Sequence, residues 1–196
     1  MKMDARNAWR WQEKAVWVFN IRAVGNYFSD VTGWPPGSVG VWLGVYYPFF
    51  PSENHIKEDK DARVLPAEYM CHMRSHLTCT LDQGARIARL PNPAERRRTD
   101  IWWIDPEGES AVPAAGNIAD VLAEAGLPWF RENSDLSRTL EEVEAGRDCF
   151  VKFDTAALLA REIGDADKLR FYASLAIAEG QRIKKTVDKS RYGVGE

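Results

Sequence analysis

The hydrophobic period of this chain changes once, near residue 110, and that change limits the folds open to it. Before it, apolar residues recur at every second position. After it, they recur at helical spacing. A run of strands followed by a run of helices describes an α+β fold, with an antiparallel sheet and then a helical region, and not the alternation that builds a parallel sheet.

The period-two half contains four segments. Ala15 to Val24 places Ala15, Trp17, Phe19, Ile21 and Ala23 on one parity, with Asn20 and Arg22 on the other. The breaker Gly33-Trp34-Pro35-Pro36-Gly37 separates it from Ser38 to Tyr47. There Val39, Val41, Leu43 and Val45 share one face, while Gly40, Trp42, Gly44 and Tyr46 share the other. Glycines alternating with aromatics on one sheet face mean that something packs closely there, a helix or a partner. Tyr69 to Leu81 alternates again, with Cys71, Met73, Leu77, Cys79 and Leu81 opposite Met70, His72, Arg74, His76, Thr78 and Thr80. Ile101 to Ile104 is a short fourth strand. The charged stretch between Pro48 and Pro66 reads as a solvated connection, and an antiparallel sheet of about four strands is expected.

Helices follow. Ile118, Val121, Leu122 and Ala125 fit one amphipathic face that Gly126 stops. Ser134 or Asp135 caps the next helix, which carries Leu136, Leu140 and Val143 and ends at Gly146. Asp154 or Thr155 caps a third through Ile163, and Asp165 opens a fourth with Leu169, Tyr172, Ala176, Ile183 and Val187 in one stripe. The last two form an αα-hairpin over 154–188. With 196 residues the chain reads as one domain, 1–110 mainly sheet and 111–196 helices packing on it, with a frayed tail from Tyr192.

Composition narrows the function classes. A formal charge of −3 argues against general nucleic-acid binding, which needs a basic excess. The run Glu95-Arg96-Arg97-Arg98 is too short to reverse that and reads as a wet loop. No apolar stretch reaches the length of a membrane span, and Met1 to Lys14 lacks the apolar core of a secretory leader. An odd number of cysteines, Cys71, Cys79 and Cys149, points to reduced thiols and a cytoplasmic location.

Cys71-His72-x3-His76-x2-Cys79 has the composition of a zinc site. Strand alternation sends its cysteines to one face and its histidines to the other, so no metal and no cofactor are expected. Phosphate-loop, dinucleotide, nucleophile-elbow and zinc-protease motifs do not occur, and no catalytic residue is assigned. Asp100, Asp105, Glu107 and Glu109 cluster around the Trp102-Trp103 strand, as acidic turns commonly do. What remains is one parity of the sheet. Asn20, Arg22, Trp42, Tyr46, His72, Arg74 and His76 form the candidate binding strip, large aromatics beside arginine as in interaction hot spots. The alternative is that helices cover this face and pair its polar groups internally.

Glu68-Tyr69-x-Cys71-His72-x-Arg74, Ile101-Trp102-Trp103-Ile104-Asp105, the helix end Ala125-Gly126-Leu127-Pro128-Trp129-Phe130 and Ser134-Asp135-Leu136 together carry a resemblance. With Phe19-Asn20 and Leu43-Gly44-Val45-Tyr46, they make residues 15–145 resemble the bacterial uncharacterised-domain family numbered 4304. The resemblance implies an α+β fold and no catalytic residue. It also implies a helix and a strand ahead of Ala15, where this chain has 14 residues. The sequence therefore reads as a non-enzymatic protein-binding module of bacterial type, its sharpest version an immunity protein that neutralises a toxin. A binder of a small anionic ligand on the sheet face and an enzyme with a non-standard site are the alternatives, and the oligomeric state is left open.

Overall fold

The computed structural model describes residues 1–4, 6–52 and 55–193. The chain is α+β, and its sheet has six antiparallel strands among the described residues. They are β1 (Lys2–Met3), β2 (Asn7–Trp11), β3 (Val16–Ala23), β4 (Val39–Tyr46), β5 (Met73–His76) and β6 (Ile101–Trp102). Strands β1 to β5 are hydrogen-bonded in chain order, and β6 joins β4 on the side that β5 also uses. β4 is thus the centre, paired along its whole length with β3. On its other edge, β5 takes Trp42 to Val45 and β6 takes Val39 and Gly40.

The two long strands fall within a residue of the expected bounds. The two N-terminal strands were not foreseen; Asn7–Trp11 pairs with all of Val16 to Asn20. Tyr69 to Leu81 is corrected more heavily, because only Met73–His76 is a strand. Glu68–Met70 is instead a 3-10 turn that carries the chain beneath the sheet. A short helix, α1 (Asn26–Thr32), precedes the Gly-Trp-Pro-Pro-Gly breaker, and Gly33 ends it in the left-handed conformation at φ 85°.

Cross-strand partners point to the same face. One face presents Trp17, Leu43 and Val45, and the helical stretch that begins as α3 (Ala111–Val121) packs on it, with Gly126 beside Leu43. Gly126 does not stop this helix. The chain passes through a π-helical stretch, Leu122–Gly126, directly into α4 (Leu127–Glu132). Phe130 then stacks on Trp17 with ring centroids 5.0 Å apart, and the Trp102 indole donates to Asn117 Oδ1 at 2.8 Å.

The other face carries Asn20, Trp42 and His76 in one row, and Val18, Gly44 and Arg74 in the next. The connection after Ile56 is not merely solvated, since it covers half of this face. Leu65 and Cys71 are buried there with Trp9, Val16, Val18 and Tyr46, and Ile56 and Val64 pack against them. The indoles of Trp9 and Trp11 donate to the carbonyls of Pro66 and Val64 at 2.9 and 3.1 Å, which holds the segment down. The alternating glycines are explained by the chain itself. A Cβ on Gly44 would stand 2.5 Å from Cys71 Sγ, and one on Gly40 would run into the edge of the Trp42 ring.

The described residues fall into two compact units, Met1–Tyr46 with Ile56–Phe130, and Tyr47–His55 with Arg131–Glu196. The second unit has its own core. Helices α5 (Leu136–Glu144), α6 (Phe150–Ile163) and α7 (Ala166–Arg182) supply Leu140, Ala156, Leu159 and Ala160 to one cluster, and Phe150, Leu158 and Ala176 to another. Phe49 and Phe50 pack against both clusters. Asp135 and Asp165 cap α5 and α7 through their carboxylates, each cap contributing about 1 kcal/mol.

α6 starts at Phe150, a turn earlier than its sequence caps indicate, so Asp154 lies inside the helix. There it accepts hydrogen bonds from the Tyr192 hydroxyl and Arg191, both at 2.7 Å. Tyr192 is fully buried and not frayed, and residues 194–196 lie outside the described part. Ile183 and Val187 follow the end of α7, although Val187 still packs on the hairpin core.

Candidate functional site

The half of the polar face that Ile56 to Cys71 leaves open is organised by one residue, Glu68. The 3-10 turn places its carboxylate under the sheet, with a side-chain exposure of 0%. Arg22 from β3 donates to Oε2 at 2.9 Å, and Arg74 from β5 donates to Oε1 at 2.7 Å. The two arginine side chains are 44% and 48% exposed, so a single inward anion fixes two outward cations. Charge-assisted, two-point contact of this kind is stronger and more directional than a surface ion pair.

Asn20 extends the network inward. Its Oδ1 accepts from Arg22 Nε at 2.8 Å, and its amide donates to Asn7 Oδ1 at 2.6 Å. The Arg22 guanidinium lies 5.1 Å from the Trp42 ring centroid, and the ring itself is laid over Gly40. Glycine at position 40 leaves room for the edge of the indole, and the Arg22 guanidinium makes a cation–π contact with the ring.

The seven residues of the strip therefore share a face but not a role. Arg22, Arg74, His72 and His76 are exposed and Trp42 is half-buried. Asn20 and Tyr46 are buried, at 6% and 4%, and support the strip from below. His72 lies against Tyr46, the ring centroids 4.8 Å apart and the planes tilted by 30°. Its outer edge is exposed, but the protein packed on its inner side withholds water and pushes the imidazole down to about 4. It is neutral at pH 7 and contributes hydrogen bonding, not charge. His76 sits opposite Trp42, within electrostatic reach of Asp100.

Sequence reasoning missed Glu68 as a site residue, along with Phe28, Arg98 and Asp100. Arg98 is not part of a loose wet loop. It pairs with Asp100 at 2.5 Å and with Glu95 at 3.6 Å, and its guanidinium lies 5.6 Å from the Phe28 ring centroid. These contacts hold Asp100 below the usual carboxylate range, the Arg98 hydrogen bond being the main cause. The signal available was indirect: two arginines of one parity, Arg22 and Arg74, with no acid on their own strands.

Cys71 does not point to the parity opposite His72. The turn at Glu68–Met70 folds its thiol against Gly44, in the same core as Val18 and Tyr46. Burial pushes that thiol up to about 12 and raises Cys79 as well. Cys149 is exposed. With iodoacetamide at pH 8, native protein is expected to gain one label, on Cys149, and all three only in denaturant. Fast native labelling of Cys71, read by mass spectrometry, would contradict this burial. Among the described residues, no group of three or more metal-capable side chains converges, and no helix is long and apolar enough to cross a membrane.

Comparison of the chain with family models, with curated proteins and with solved structures gives no match.

Proposed function

We propose that this protein is a non-enzymatic binding module that engages another protein through the open half of the polar sheet face. The observation that carries this is the buried Glu68 holding Arg22 and Arg74 at fixed points on an exposed surface, beside Trp42. Side chains already ordered in the free protein lose little freedom on association. Tryptophan and arginine are also the residue types in which interface energy concentrates. The guanidiniums suit carboxylates, so the partner segment is acidic.

Neutralisation of a toxin in the bacterial cytosol is the narrower form of this proposal. The toxin would then present an acidic surface to this face, and co-expression would protect the cell from it. A small anionic ligand held by the same guanidiniums is the second reading.

The test compares capture from extracts of the native host by wild type and by a Trp42→Ala, Arg74→Ala double variant. A partner retained by wild type and lost by the variant is expected. The variant should stay folded and melt only a few degrees lower, because Arg22 still pairs Glu68. Equal capture by a folded double variant would remove this surface from consideration.

A further inference from the structure

One end of the polar face is cut by a slot of about 210 Å³. It forms where β3 hands over to α1, and where β6 replaces β5 beside β4. Its floor is Gly40 with Ile101, which is 2% exposed. Its walls are two rings, Trp42 and Phe28, each with a guanidinium stacked on it, Arg22 at 5.1 Å and Arg98 at 5.6 Å. Neither cation is loose. Arg22 is tied to Glu68 and Asn20, and Arg98 to Asp100 and Glu95.

The volume decides the class of occupant. Sites for drug- or cofactor-sized molecules span roughly 300–1,000 Å³, so this slot has room for one large side chain. An apolar floor between two rings selects a flat apolar group, which stacks or packs edge-on against them. The guanidiniums at the mouth select carboxylates. Since Glu68, Asp100 and Glu95 already oppose Arg22, Arg74 and Arg98, the pull on an isolated anion is weak. The apolar group and the acid are needed together.

We propose that the slot is an anchor site for one aromatic side chain of an acidic protein segment, with the ring entering between Trp42 and Phe28 and flanking carboxylates meeting Arg22 and Arg98. This rests on the binding role of the polar face and specifies where its partner inserts.

The full chain, labelled with ¹⁵N, would be titrated with three capped tripeptides: acetyl-Glu-Phe-Glu-amide, acetyl-Glu-Ala-Glu-amide and acetyl-Lys-Phe-Lys-amide. The reporters are the Trp42 indole N–H and the backbone N–H groups of Gly40 and Ile101. The Glu-Phe-Glu peptide is expected to saturate these signals at roughly millimolar concentration, as fits a single anchor without the rest of an interface. Each control peptide should bind about tenfold more weakly or worse. Phe28→Leu keeps an apolar contact with Val24, Trp34 and Ile101 but removes the ring, and should weaken the first peptide about tenfold.

Absence of shifts at these three reporters, or equal response to all three peptides, would overturn the anchor. The two ideas fail separately. Peptide binding without partner capture ends the surface reading alone, and capture without peptide binding ends the anchor alone.

Discussion

Replacing Glu68 with alanine is expected to lower stability by about 3 kcal/mol, the largest effect of any single polar substitution in the sheet unit. The carboxylate is wholly inside, and the turn that carries it is packed under the strands, so its loss leaves a polar void beneath two cations. Breaking a buried pair commonly costs about 3–5 kcal/mol. The lower end applies because both arginines are nearly half-exposed and rehydrate.

The sharper form of this prediction is non-additivity. Arg22→Ala or Arg74→Ala alone should cost about 1 kcal/mol, since the other guanidinium keeps Glu68 paired. Removing both strands the buried anion, and the double variant should exceed the sum by about 1–2 kcal/mol. Urea unfolding followed by tryptophan fluorescence measures all three. Additivity within about 0.5 kcal/mol would show that the two arginines do not share one acceptor.

How much of this was legible in the sequence follows from where information is local. β3 and β4 announced themselves because alternation over eight residues records both strand and facing. The antiparallel register then brings Asn20, Trp42 and His76 into one row as their parity requires. The cysteine–histidine run was misleading over its first half. Alternation of residue types continues from Tyr69, but the backbone does not become a strand until Met73, because Glu68–Met70 turns beneath the sheet. Period-two patterning cannot distinguish a strand from an extended segment that changes partners. After β5, Leu77 bonds to Val41 and Cys79 to Thr99.

Other features were hidden for different reasons. β2 is only Asn7–Trp11, and its tryptophans turn toward a segment more than 50 residues away. Nothing local marks that pairing. The cap at Asp135 was legible because its carboxylate bonds the amides of Ser137 and Arg138, two and three positions on. The start of α6 was not, since Asp154 is a strong capping type employed in a tertiary contact with Tyr192. Glu68 was illegible for a related reason: its burial is defined by the sheet above it and by Arg22, 46 residues away, and Arg74, only six residues on, does not by itself mark a buried acid.

The glycines of β4 carried a long-range message, and Gly44 is where it can be tested. Its Cβ-free surface admits Cys71, so Gly44→Ala would place a methyl 2.5 Å from the sulfur and 2.7 Å from Cβ of that residue. Neither atom belongs to a flexible tip. Cys71 is buried, and its amide is tied to the Glu68 carbonyl, so the whole turn must shift outward. Overpacking of this kind costs about 1–3 kcal/mol, and a valine costs more. The displacement would also withdraw Glu68 from Arg22 and Arg74, so partner capture should fall together with stability.

Two controls isolate the cause. Gly116, inside α3, has nothing near its absent Cβ, and Gly116→Ala should instead stabilise by about 0.5–1 kcal/mol. In a Cys71→Ala background the sulfur is gone but Cβ remains, so Gly44→Ala should cost measurably less without becoming neutral. A Gly44→Ala protein that unfolds within about 0.5 kcal/mol of wild type would mean that the turn and the central strand are not in contact as described.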